Sequence, residues 1–365
     1  VYAPGCSENS SYGYVVPDPD WMRYPGVYPA STFLKSRLKY LNPEQQVMAM
    51  MDIGHWNRVQ NSVPRIDPVF SEIYPRRTFN VRPRAITQAW REVFPYSDQL
   101  IGYSETILDD FEKYLSLRLA WDPDLDARTI VREYYTYYCG PGAGAILADA
   151  VFLGERNYEL PVAGNEKNIR RFYDSVEKAW SIMPECYRRD NWRMLALRQR
   201  AATDLYLVLR VAAQQKAYDA AIREVAGLKV SRERLTALAD ALEFKESPEL
   251  VKLHEAIIGF DNETDRIIGV RCLSVGKIGT ADNVGVGYLA AGLRRAAALS
   301  GDGERARELA ALVNYDRVGP GEFYDNCGTP DRQPHFDFSS GELYYGTGIW
   351  PEASRPSQRY YNYTA

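Results

Sequence analysis

Across residues 99–111 the hydrophobic pattern changes period, and that change limits what this part of the chain can build. Leu100-Ile101-Gly102-Tyr103 is an apolar run of strand length, with Asp98 and Gln99 before it. From Thr106 onward, Ile107, Phe111, Tyr114, Leu115 and Leu117 fall on one helical face. A buried strand turning directly into a helix is a step of a parallel α/β fold. Tyr103, Ser104 and Glu105 then stand at the carboxyl end of a strand, where such folds present side chains to ligands. Glu105 has a second reading, as a helix N-terminal acid favoured by the macrodipole.

The same rhythm runs through residues 1–118. Residues 1–4 read as the end of a strand, and Ser31 or Thr32 caps a helix reaching Leu41. Residues 47–53 are a continuous apolar strand, and residues 84–94 are a helix. Two long loops, 5–29 and 57–83, separate them, and long loops in compact domains are usually functional or disordered. Strand, helix, strand, helix, strand, helix predicts parallel strands with right-handed crossovers. Three strands cannot close a barrel of eight.

Residues 119–315 read as helices almost throughout. Asp126 caps a helix over 127–139 with Ile130, Val131, Tyr134 and Tyr138 inward, and Gly140-Pro141 stops it. Further helices are expected over 143–153, 166–183, 191–226, 231–244, 248–258, 286–299 and 303–313. Residues 316–365 are dense in Gly, Pro, Asp and Tyr and read as an irregular segment leading toward a small β region. The expected fold is α/β followed by mainly α, in three segments: 1–118, 119–315 and 316–365.

A length of 365 residues allows two or three domains of roughly 100–200 residues. The net charge of −4 gives no general basic surface for nucleic acid. No apolar run approaches the ~20 residues of a membrane span. Five scattered cysteines fit neither a zinc spacing nor a redox pair, and no metal or cofactor motif is present. The first residues are neither a methionine start nor a signal peptide, which predicts a processed or incomplete molecule. The 27 tyrosines offer flat apolar faces with polar tips, which suit sugars and ordinary cores alike.

Gly102-Tyr103-Ser104-Glu105, the run Leu119-Ala120-Trp121-Asp122-Pro123-Asp124-Leu125-Asp126, and Tyr137-Tyr138-Cys139-Gly140 occur in an order that resembles a known family. It is the uncharacterised bacterial glycoside-hydrolase-like proteins, whose barrel is similar to α-glucuronidase and β-hexosaminidase barrels. Asp52-Ile53-Gly54-His55, Phe79-Asn80-Val81-Arg82-Pro83-Arg84, Asn191-Trp192-Arg193, the Gly319-Pro320-Gly321-Glu322-Phe323-Tyr324-Asp325-Asn326 run and Gln333-Pro334-His335 continue the series. Thr106 replaces the family's usual glycine. The resemblance implies the later part of a larger protein: the last strands and helices of a (β/α)8 barrel, a helical domain, and the approach to a β-sandwich. The strands that carry the catalytic pair in related barrels would lie upstream, so the remaining N-terminal part of the protein is an implied partner. A polymer substrate would imply a secreted or periplasmic protein.

A glycosidase needs two carboxyl groups flanking the scissile bond. The strand ends here offer Glu105, and Asp52 with His55, as the candidates for catalysis. Asp52 and His55 together suit orienting a hydroxyl or moving a proton, and equally a simple strand-end hydrogen-bond pair. Glu8 is a candidate sugar contact or a turn cap. Tyr12, Trp56 and Tyr103 are candidates for stacking on a sugar face. Arg82 lies in an arginine-rich stretch suited to a uronate carboxylate or to ordinary ion pairs. The expected function is the C-terminal portion of a glycoside hydrolase acting on a polysaccharide or glycan. The alternative is a non-catalytic carbohydrate-binding or scaffold protein. The oligomeric state is open, and a homo-oligomer is admitted.

Overall fold

The structure is a computed structural model that describes residues 42, 44–45, 48–54, 69, 73, 79, 81–97, 99–104, 107–158, 162, 164–270, 278–280, 282–313, 336–337 and 342–343. Strand β1 (Met48–Gly54) and helix α1 (Pro83–Val93) precede strand β2 (Gln99–Ser104). The strands pair in parallel, Met48 opposite Gln99 through Asp52 opposite Tyr103, with an irregularity before Gly54 meets Ser104. The expected strand–helix–strand order therefore holds. Among the described residues these two strands are the whole of that sheet, and the protein is mainly helical.

A short 3-10 turn (Ile107–Asp109) follows β2 and leads into α2 (Asp110–Trp121). The inward face differs from the sequence expectation. Ile107 and Leu117 are 44% and 71% exposed, while Leu108, Phe111, Leu115 and Leu119 are buried. The 3-10 turn advances the chain by 120° per residue instead of 100°, so Leu108 rather than Ile107 enters the core.

Helix α3 (Ala127–Cys139) begins as expected, with the Asp126 side chain accepting from the Thr129 backbone N–H at 3.2 Å. It ends at Gly140, whose φ of +82° favours glycine. Helix α4 (Pro141–Tyr158) is longer than expected at both ends. Its proline is acceptable at a first helical position, where no N–H donor is needed. Helix α5 (Glu166–Ile182) and the short α6 (Glu185–Arg188) follow.

Helix α7 (Trp192–Val225) is the longest of the described elements. Its residues up to Val208 belong to one compact unit, those from Leu209 to a second. Its first half is buried nearly all round, which removes the usual amphipathic stripe. Helix α9 (Pro248–Ile268) also belongs almost wholly to the first unit and runs ten residues past its expected end. Gly259, the first residue past the expected end, is helical, and an added Cβ there would meet nothing within 4 Å.

The first unit's core joins α1 to α5 with the start of α7. Phe111, Tyr134 and Tyr135 interlock at its centre, with the Phe111 and Tyr134 rings edge-on at 5.2 Å. Each fully buried side chain of this size contributes about 1.5–3 kcal/mol. The second unit packs the end of α7 with α8 (Arg232–Ala241), α10 (Val286–Ala298) and α11 (Asp302–Val313). Ser231 caps α8, as expected, and Asp282 accepts from three backbone N–H groups at the start of α10. Strands β3 (Phe336–Asp337) and β4 (Glu342–Leu343) pair antiparallel within the segment expected to lead to a β region.

Candidate functional site

The parallel pairing brings the carboxyl ends of β1 and β2 side by side. Asp52 and Tyr103 are register partners. Their backbones are described and their side chains are not. Glu105, His55, Trp56, Glu8 and Tyr12 lie outside the described residues. Of the expected site residues, Arg82 is seen in full. It is 1% exposed, inside the protein rather than on an open loop surface. Its neighbour Arg84 is partly exposed and pairs with Glu155 at 3.1 Å.

The residues just after β2 form a polar cluster that the sequence reading passed over. Ser104, at the tip of β2, donates from Oγ to Asp109 Oδ2 at 2.7 Å. Asp109 is 4% exposed. Asp110, next in sequence, accepts from Tyr134 Oη at 2.7 Å and from Arg193 Nε and Nη2 at 2.6 and 3.1 Å. The Arg193 guanidinium also lies over the Tyr138 ring at 3.9 Å. Asp109, Asp110 and Glu112 all sit at the first turn of α2, where the helix dipole favours negative charge. The pairing of Asp110 with Arg193 joins residues 83 apart, and Arg193 belongs to the Asn191-Trp192-Arg193 motif.

Glu112 is the unusual member. It is 2% exposed, and among the described residues neither carboxyl oxygen has a hydrogen-bond partner beyond a poorly aligned approach to its own backbone N–H. Burial pushes its carboxyl well above the ordinary range, and the Asp109 charge adds to this; its own backbone N–H and the Arg82 charge pull the other way. A carboxyl without partners is cheaper to bury protonated than ionised. Its folded-state proton affinity exceeds that of the unfolded chain. The stability it contributes is thus full below the unfolded value, near 4.5, and is lost as pH rises through the folded one. Glu112→Gln removes this loss. Its melting temperature relative to the parent should climb as pH is raised from about 4 to 8. A difference that stays flat with pH would show that Glu112 is not held protonated by burial.

The Cys139 thiol is buried and pushed up to about 12, which makes it a poor nucleophile. Among the described residues no group of three or more His, Cys, Asp or Glu could hold a metal ion. No described helix is long and apolar enough to cross a membrane.

These features define a mainly helical protein with a short parallel strand pair whose tips lead into an acidic first helical turn. No protein family, curated protein or solved structure matches the chain.

Proposed function

We propose that the chain is the C-terminal portion of a glycoside hydrolase whose earlier barrel strands precede it. The observation that supports this best is the parallel register of β1 and β2. It sets the Asp52 and Tyr103 backbone positions beside each other at the same ends of the two strands. In this reading β1 and β2 are late strands of a (β/α)8 barrel, and the rim carries Asp52, His55, Glu105 and Tyr103. In this reading the bond from Ser104 Oγ to the buried Asp109 steadies the tip of β2. Two carboxyl groups would act on the glycosidic bond, at least one from the preceding part. The polymer substrate in turn favours export.

The test is release of reducing ends from a panel of polysaccharides by the intact protein. Glu105→Gln and Asp52→Asn should each lower the rate by about 100-fold or more. Hydrolysis at the parent rate in both variants would remove these residues from the chemistry. The predominance of helix among the described residues favours a second reading, a carbohydrate-binding scaffold. It predicts sugar binding without release from any polymer.

A further inference from the structure

A groove of about 900 Å³ is lined, among the described residues, by seven residues of α3 and by Tyr114 of α2. Its aromatic wall is Tyr114, Tyr134, Tyr137 and Tyr138. The rings are locked to one another: Tyr114 tilts against Tyr134 at 5.5 Å, Tyr134 meets Tyr138 edge-on at 4.8 Å, and Tyr138 meets Tyr137 at 4.8 Å and 87°. Tyr137 is nevertheless 75% exposed. On α2, Leu117 and Trp121 follow Tyr114 at helical spacing and are 71% and 87% exposed. Tyr134 is buried, Tyr114 and Tyr138 are half-buried, and a rigid ring left open to water, as Tyr137 is, costs little entropy when a ligand covers it.

The charges on the wall are unequal. Glu133 is already occupied, accepting from Arg118 Nε and Nη2 at 3.1 and 3.2 Å and from Tyr114 Oη at 3.3 Å. Arg132, beside it on the lining, has no carboxylate partner among the described residues. Among the described residues the groove therefore carries one guanidinium with no carboxylate partner, and its planar fork suits a carboxylate.

The main chain selects between occupants. The described lining residues are all helical, so their backbone N–H and C=O groups are bonded within the helices. An extended peptide would find no main-chain partners there. A sugar needs none: its apolar ring face stacks on an aromatic ring, and its hydroxyls meet Tyr and Thr hydroxyls such as those of Thr129 and Thr136.

We infer that this groove binds an acidic oligosaccharide, with a pyranose face on Tyr137 and a uronate carboxylate on Arg132. The inference rests on the reading that the protein handles carbohydrate, but it does not require hydrolysis. The test is calorimetric titration of the full chain with a short oligogalacturonate, a neutral glucan of equal length, and an acidic proline-rich peptide. The oligogalacturonate should bind most tightly, and binding should weaken as salt rises from about 50 to about 500 mM. Tyr137→Ala should weaken both sugars about tenfold. Arg132→Gln should weaken the oligogalacturonate about fivefold and erase its advantage over the glucan. Both side chains are exposed, and unchanged melting curves would establish that the variants fold. No sugar binding, sugar binding unchanged in both variants, or binding of the peptide alone would each overturn the inference. Sugar binding that responds to these variants, with no polymer hydrolysed, would sustain the groove while the hydrolase reading fails. Hydrolysis with groove variants that bind like the parent would do the reverse.

Discussion

Gly144→Ala is expected to destabilise the protein by about 2–3 kcal/mol. An alanine Cβ at this position would lie 2.7 Å from the Thr136 backbone nitrogen and 2.8 Å from its Cα. Those atoms belong to α3, so no side chain can swing aside, and the two helices must part. Helix propensity works in the opposite direction by only about 1 kcal/mol. The loss matters because α3 carries Tyr134, the donor to Asp110 at the start of α2. Gly259→Ala is the control, since nothing lies within 4 Å of its added methyl. There propensity acts alone, and a gain of about 0.5–1 kcal/mol is expected. Denaturant titration of both variants checks the pair. Equal effects at the two sites would show that α3 and α4 do not approach this closely.

The second large effect is expected at Glu155. Helix α1 begins at Pro83 with no side-chain cap of its own. Its cap comes from α4: Glu155 Oε1 accepts from the Ala85 N–H at 2.8 Å, and Oε2 from the Arg84 N–H and Nε at 3.1 Å each. Glu155 is 2% exposed, and burial raises its proton affinity although these donors oppose the rise. Glu155→Ala leaves two backbone donors unsatisfied at a buried helix start, and should cost about 3 kcal/mol. Glu155→Gln keeps one acceptor and should cost roughly half as much. Hydrogen exchange localises the effect, because the Arg84 and Ala85 amides should lose protection first. Full protection of both amides in Glu155→Ala would show that the helix start is satisfied in another way.

These two sites mark where sequence reading stops. The α3 start was legible because Asp126 and Thr129 are three residues apart, and a cap is a local bond. The α1 helix was legible from its own period, but its cap lies some 70 residues away and leaves no trace in either segment. The candidate site behaves likewise. The strand ends holding Asp52 and Tyr103 were visible as apolar runs, and their parallel pairing followed from the strand–helix–strand order. Asp110 and Glu112 were passed over, because a charged residue in a first helical turn usually faces water. Here one meets Arg193 from a distant helix, and the other is buried.

The expected strand at 1–4 and helix reaching Leu41 lie outside the described residues. Among the described residues, the sequence by itself determined the order of β1, β2 and the long helices, most helix starts, and the glycine that ends α3. All of these depend on backbone hydrogen bonds and periodicities that close within a few residues. Only the tertiary structure decided which face of α2 turns inward, which carboxylates lose water, and which helix caps which. Those outcomes depend on surfaces brought together from far apart in the chain. Burial and pairing belong to the assembled surfaces, not to either segment alone.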